Sequence, residues 1–243
     1  MPVRLDADAG VTTLTLDFPA RRNALSATLI DHLRAGLGRA ADDAGTRAVV
    51  LAHTGSTFCA GADLAEPPGA AELVALLREI TELPKPVVAR IDGHVRAGGL
   101  GIVGACDLAV AGEGATFAFT EVRLGLAPAV ISLPLLPRLE PRAAARYCLT
   151  GETFDAREAA RVGLVTVAAP DAGEALAGVL DGLRAASPQG LAETKRLLTA
   201  DVRAAFDRDA DALVALSERL FASPEAREGI AAFLERRRPA WRS

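Results

Sequence analysis

The sequence is short of cysteine, of surplus basic charge and of long apolar runs, and each shortage removes a class of protein. Cys59, Cys106 and Cys148 are the three cysteines in 243 residues. Odd in number and far apart, they offer neither a disulfide framework nor zinc-type spacing and point to a reducing, intracellular setting. Against 31 Asp plus Glu stand 27 Lys plus Arg, a net charge of −4, so no basic field invites nucleic acid, and no stripe of cations interleaved with aromatics occurs. The longest mostly apolar stretches, such as IVGACDLAVAG, are interrupted by Asp107 and fall short of the ~20 residues that a bilayer span requires. MPVRLDADAG at the start lacks the basic-then-apolar order of a secretory signal. No group of side chains has metal-ligand spacing. The expectation is a cytoplasmic globular protein with no metal and no membrane or nucleic-acid partner.

The bulk composition, 50% hydrophobic and 24% charged, suits a sizeable core in a chain at the upper end of one domain. Residues 3–17 alternate and hinge on Ala9-Gly10, which reads as a β-hairpin. Ser26 is placed to cap a helix whose apolar face carries Leu29, Ile30, Leu33 and Leu37. RAVVLAH, KPVVARIDG and DLAVAG read as buried strands; TGSTFCAGADL reads as a loop, followed by a helix near residues 70–82. This alternation predicts a layered α/β architecture. From residue 135 onward the pattern turns helical: Asp155 and Glu158 make a capping pattern, Gly163 ends that helix before a strand in LVTVAA, and Val202, Phe206, Leu213, Leu216 and Leu220 recur at helical intervals. Ser223-Pro224-Glu225 opens a last helix. No repeat of fixed period, low-complexity tract or long linker is present.

RAGGLGIVGACD, residues 96–107, puts glycines into what otherwise reads as a buried helix, at about 1 kcal/mol each relative to alanine. Gly99, Gly101 and Gly104 spell G-x-G-x-x-G soon after a strand, with Glu121 roughly 20 residues beyond, as in a dinucleotide-binding turn. Length argues against that reading, because such a turn is followed by a crossover helix of typically 10 or more residues, whereas Asp107 and LAVA come directly after GACD begins. A second use of bare backbone fits better. FCAGADL (58–64) and GHVRAGGLG (93–101) each follow a buried strand, consist largely of small residues and stand before a helix, an arrangement suited to holding an oxygen that becomes negative during reaction.

The motifs RRNALSATLI, TFCAGADL, KPVVARIDGHVRAGGLGIVGACDLAVA, ATFAFTEVRLGLAPA and LTGETFDAREAARVGLV, in that order over most of residues 10–170, resemble the crotonase family, the enoyl-CoA hydratase/isomerase superfamily. The resemblance implies an α/β fold, a crotonase-like spiral of ββα units over residues 1–190, with a helical C-terminal trimerisation region over residues 191–243. It implies homotrimers or hexamers, an acyl-CoA or enoyl-CoA thioester as substrate, and no cofactor beside it. By position, the backbone N–H groups of Ala62 and Gly98 correspond to the family's oxyanion hole. The CoA would lie along Arg22, Asn23, Ala24 and Leu25 and along Ala60, Gly61, Asp63 and Leu64, largely on backbone. Glu121 falls on the second of the two carboxylates that the family's hydratase sets around a water; the first position holds Gly101. One acid is therefore missing, and three readings follow: hydration with Glu121 acting alone, migration of an enoyl-CoA double bond by the same carboxyl, or a weakly active acyl-CoA binder. EVRLGLAPAVIS also resembles the methylglutaconyl-CoA hydratase branch, which places hydration first.

Plainer roles compete for several residues. Without the family position, Glu121 reads first as a helix-start acid stabilised by the macrodipole or paired with Arg123; the resemblance reverses that order. His94 is placed to substitute for the missing carboxylate, yet a lone histidine is more often packed and hydrogen-bonded; His32 and His53 read as structural. Arg96 reads as a solvated or interface cation rather than a partner for an acyl carboxylate. Cys59 and Cys106 read as small buried thiols, Arg22 as a contact for phosphate or for water, and the terminal ERRRPAWR as a helix end with favourably placed cations.

Overall fold

The computed structural model describes residues 2–242. Its chain order opens with β1 (Val3–Asp8), β2 (Val11–Leu16), α1 (Ala27–Asp42), β3 (Ala48–His53), β4 (Thr57–Cys59), α2 (Ala70–Glu82), β5 (Val87–Ile91), β6 (His94–Arg96), α3 (Gly98–Ala105), β7 (Leu108–Gly112) and β8 (Thr116–Ala118). It continues with α4 (Ser132–Leu135), α5 (Pro141–Thr150), β9 (Phe154–Asp155), α6 (Ala156–Arg161), β10 (Val167–Ala169), α7 (Ala172–Ala185), α8 (Pro188–Leu198), α9 (Ala200–Phe221) and α10 (Pro224–Leu234).

Local signals explain the ends of these elements. The β1–β2 hairpin pairs Val3 with Leu16 through Asp8 with Val11, and Ala9 and Gly10 both take positive φ at its tip, as a two-residue hairpin turn demands. Ser26 Oγ accepts the Leu29 N–H at 3.3 Å to start α1. Asp155 accepts the Glu158 N–H at 2.8 Å to start α6, and Ser223 accepts the Ala226 N–H at 3.1 Å to start α10.

The strands divide between two sheets. One has the order β1-β2-β3-β5-β7-β10 and the other β4-β6-β8-β9. Pairing is parallel from β2 to β10 and from β4 to β8, with β1 and β9 antiparallel at the edges. Each turn of the chain thus gives one strand to the large sheet and the next to the small one: β3 then β4, β5 then β6, β7 then β8. A helix closes the first two of these turns, which makes a spiral of ββα units. Two expected loops contain strands, because TGSTFCAGADL holds β4 and GHVRAGGLG holds β6, and the strand expected over LVTVAA is confined to Val167–Ala169. Three-residue strands carry too little alternation to be recognised locally; their pairing partners lie 20 or more residues away.

Three of the four glycines of α3 lie against the 59 and 131–135 segments. A Cβ on Gly99 would sit 2.7 Å from Cys59 Cβ, one on Gly101 2.7 Å from Ile131 Cγ2, and one on Gly104 2.7 Å from Leu135 Cδ2. Bare backbone therefore lets α3 approach β4 on one side and the 131–135 segment on the other. With only eight residues, α3 is too short for a dinucleotide-type crossover.

Helix α8 is fastened to this core by one buried cation. Lys195 Nζ donates to the Ile80 carbonyl at 2.8 Å and the Lys85 carbonyl at 3.1 Å, and lies 2.7 Å from Asp107 Oδ2. That oxygen also accepts the Val87 N–H at 2.7 Å. Burial pushes the Asp107 carboxyl up and the Lys195 ammonium down, so each charge depends on the other.

Candidate active site

The spiral brings three sequence-predicted residues to one edge. Strands β4, β6 and β8 are parallel neighbours, so their C-terminal ends lie side by side at roughly 4.8 Å spacing. Ala62 follows β4, Gly98 follows β6 and Glu121 follows β8, each within three residues of its strand.

The first two supply backbone donors. A Cβ placed on Gly98 would lie 3.9 Å from the Ala62 nitrogen, and one on Gly61 3.6 Å from the Gly98 nitrogen. Neither the Ala62 nor the Gly98 N–H donates a hydrogen bond among the described residues. Gly98 opens α3, where the first amides have no helical acceptor. The chain reaches it through Ala97, held at φ 46° and ψ −118°, a conformation that costs about 1–3 kcal/mol in a residue with a side chain. Two neighbouring N–H groups without acceptors, the second reached through a strained residue, are free to donate to one oxygen.

Segment 22–25 lies along the first of these loops. Ala60 N donates to the Arg22 carbonyl at 3.1 Å, Leu25 N to the Gly61 carbonyl at 2.8 Å and Asp63 N to the Leu25 carbonyl at 2.8 Å. Arg22, Asn23, Ala24, Leu25, Ala60, Gly61, Asp63 and Leu64 are thereby collected in one strip. Several of their side chains are already engaged. Asn23 is fully buried at positive φ, accepts the Phe18 N–H at 2.8 Å and donates to the Thr54 and Thr57 carbonyls. Asp63 pairs with Arg21 at 2.9 Å and accepts the Ala65 N–H. Leu25 is packed under Gly98. Arg22 is exposed, also at positive φ. This strip offers a ligand its main chain rather than its carboxylate or amide groups.

Glu121 opens a 3-10 turn, Glu121–Leu124, and is 8% exposed. Its Oε2 is buried with no hydrogen-bond partner, and burial pushes its pKa up to about 7. The pairing with Arg123 does not form, because Arg123 reaches toward the Thr150 carbonyl instead. Desolvation without a counter-charge is the arrangement that tunes a carboxyl toward proton transfer near neutrality. Cys148 of α5 lies close enough that burial and the Glu121 charge push its thiol up to about 11; no sequence motif marked it.

The remaining candidates are elsewhere or occupied. His94 is exposed and bonds Thr116 Oγ1 at 2.8 Å. Arg96 donates to the Val95 and Thr116 carbonyls and to Thr116 Oγ1. Burial pushes the Cys59 and Cys106 thiols up to about 12, which keeps them protonated. Arg237, near the C-terminus, pairs with Glu228 and Glu235. Beside Gly101, where a second carboxyl is absent, Ile131 Cγ2 and Leu77 Cδ1 stand 2.7 and 3.3 Å from the place of a Cβ. Among the described residues no three His, Cys, Asp or Glu side chains gather as a metal site, and no helix is long and apolar enough to cross a membrane.

Comparison with known proteins extends this picture. The family model for enoyl-CoA hydratase/isomerase matches residues 6–243. The (E)-benzylidenesuccinyl-CoA hydratase of Thauera aromatica is 33% identical over 254 residues, covering 100% of this chain and 99% of that one. Among solved structures, an enoyl-CoA hydratase from Mycobacterium avium superposes with a TM-score of 0.93 at 54% identity, covering 99% and 98% of the two chains. A carnitinyl-CoA hydratase from Mycobacterium avium gives 0.89 at 27% identity, with coverage of 99% and 98%.

Proposed function

Because the chain belongs to the enoyl-CoA hydratase/isomerase family, we propose that it adds water across C2=C3 of an enoyl-CoA with Glu121 as its one acid–base group. It is an enoyl-CoA hydratase-like acyl-CoA enzyme. The single observation carrying the residue assignment is the buried, unpartnered Glu121 Oε2 at the strand edge where the unsatisfied Ala62 and Gly98 amides also lie.

The steps follow from those groups. Ionised Glu121 takes a proton from a water as its oxygen bonds to C3; the electron pair of C2=C3 moves into the thioester, and its carbonyl oxygen becomes an enolate oxygen. The Ala62 and Gly98 N–H groups hold that charge, where one donor of this kind is worth about 3 kcal/mol. The Glu121 carboxyl then returns the proton to C2, the enolate collapses, and the carboxylate is regenerated. A group ionising at about 7 is available in both forms at neutral pH, as an alternating base and acid requires.

A second reading has its own support. The apolar contacts of Ile131 and Leu77 at Gly101 leave Glu121 without a companion, and double-bond migration needs no water: one carboxyl removes a proton from C2 of a 3-enoyl-CoA and returns it at C4. Incubation with crotonyl-CoA and with a 3-enoyl-CoA separates the outcomes. Loss of the enoyl absorbance with water uptake supports hydration, its appearance from the 3-enoyl ester supports isomerisation, and inertness toward both leaves the acyl-CoA binder.

Supplying the missing acid has a predictable cost. Gly101→Glu places its Cβ within 2.7 Å of Ile131, so the variant is expected to lose about 1–3 kcal/mol of stability to overpacking and to show no gain in hydration. Combined with Ile131→Ala it recovers the stability, which chemical denaturation measures, and only this pair is expected to hydrate faster than the parent.

The assembly belongs to the same proposal. Leu197 and Leu198 on α8 and Phe233 and Leu234 on α10 are 61–78% exposed, and this apolar surface is the support for a homotrimer or hexamer built on residues 191–243. The free thiols fit a cytoplasmic setting, and the scheme requires the thioester and water, with no cofactor beside them.

A further inference from the structure

His53 ends β3 and connects the two donor loops at their roots. Its Nε2 accepts the backbone N–H of Asp92 at 3.0 Å, and Asp92 is the first residue after β5. The Ala62 loop therefore departs from one side of this bond and the Gly98 loop from the other. Around it the two roots are in close contact. His94 N donates to the Ser56 carbonyl at 3.0 Å, and a Cβ on Gly93 would stand 2.2 Å from that same oxygen, so the chains cannot separate at one point without moving at the others. The ring rests edge-on against Phe58, centroids 5.6 Å apart, and its Nδ1 is buried without a partner.

Resting on the reading of Ala62 and Gly98 as the oxyanion donors, we propose that His53 is a positioning residue for them: its neutral imidazole, by accepting the Asp92 N–H, holds the roots of both loops in the register that brings the two amides together. Nothing in the sequence gave this histidine a partner; the partner comes from the next turn of the spiral. Acceptance requires an unprotonated Nε2. Protonation turns it into a donor facing a donor, and the bond is lost.

The charges facing the ring do not prevent that loss. Asp92 and Arg90 come from the neighbouring strand and are paired with each other at 2.8 Å, while Asp17 at the end of β2 is taken by Arg4 and Thr54. Burial keeps the His53 pKa below its ordinary 6.5, with the Thr54 backbone foremost, then Asp92 and the Gly55 backbone, opposing and Arg90 assisting. The register is therefore held at neutral pH and released in mildly acidic solution.

Two variants test this in the full chain. His53→Gln carries an acceptor to the place of Nε2 and does not titrate; His53→Phe keeps the ring and has no acceptor. Amide exchange of residues 54–64 and 92–101 is followed without ligand, corrected for intrinsic rates. Protection in both segments is expected to fall together by about tenfold between pH 7.5 and pH 5 in the parent, to stay constant in His53→Gln, and to be low at both pH values in His53→Phe. Where turnover of an enoyl-CoA is measurable, the ratio of kcat/KM for the parent to that for His53→Gln cancels the titration of Glu121. That ratio is expected to be level at neutral and alkaline pH and to decline in acid. Equal pH dependence of exchange in the parent and His53→Gln overturns the proposal, as does a change confined to one loop. A chain inert toward every thioester but showing the exchange pattern overturns the proposed reaction and leaves the latch standing.

Discussion

Glu121→Gln lowers kcat on an enoyl-CoA by about 10² to 10⁴, the usual worth of a positioned acid–base group, and leaves acyl-CoA affinity nearly unchanged. The amide fills the same volume and cannot exchange a proton, while the Ala62 and Gly98 amides still meet the thioester oxygen. In the parent, the first step needs the carboxylate, so kcat/KM falls as pH drops through about 7, and that limb disappears with the variant. Stability moves the other way. A group whose pKa is raised from 4.5 to about 7 on folding contributes stability fully present below pH 4.5 and lost as pH rises through 7. The loss amounts to about 3 kcal/mol. Glu121→Gln removes this dependence, so at pH 8 it melts at a higher temperature than the parent. Thermal melts at pH 5 and 8 and initial rates across the same range check both halves; an active variant, or one less stable at pH 8, contradicts the assignment.

The elements visible in the sequence are those whose determinants are local. Ser26, Asp155 and Ser223 announce helix starts because a cap bonds within its own first turn, and β3, β5 and β7 are visible as continuous apolar runs because both faces are covered. β4, β6 and β8 were hidden, and these three lay out the site. Each has three residues, and what makes it a strand is a partner one spiral turn away. The same limit applies to side chains. Glu121 has the composition of an ordinary helix-start acid, and only burial without Arg123 sets it apart. Ile131 gives no sign in sequence of standing over Gly101, nor His53 of meeting Asp92, since each contact joins segments that only the winding of the chain brings together. The family resemblance supplied the positions of the proposed donors; the physical reason that two loops distant in sequence end side by side lies in the parallel order of the small sheet.

Lys195→Met destabilises the protein by about 3–5 kcal/mol. The ammonium is 5% exposed and its Asp107 partner 16%, so removing it leaves a carboxylate in the interior with the Val87 N–H as its remaining backbone donor. The Ile80 and Lys85 carbonyls lose their donor as well. Because burial opposes both charges, the pair as a whole contributes far less than this figure; the cost arises from breaking it. Lys195→Met combined with Asp107→Asn therefore recovers much of the loss, since the amide oxygen still accepts from Val87 and neither member of the pair is left charged without the other. A double-mutant cycle from urea unfolding yields the coupling directly. Additive single effects would mean that the ammonium acts only through the two carbonyls. A non-additive result would identify the ion pair as what ties α8 to the junction between α3 and β7, the same segment whose other end presents Gly98.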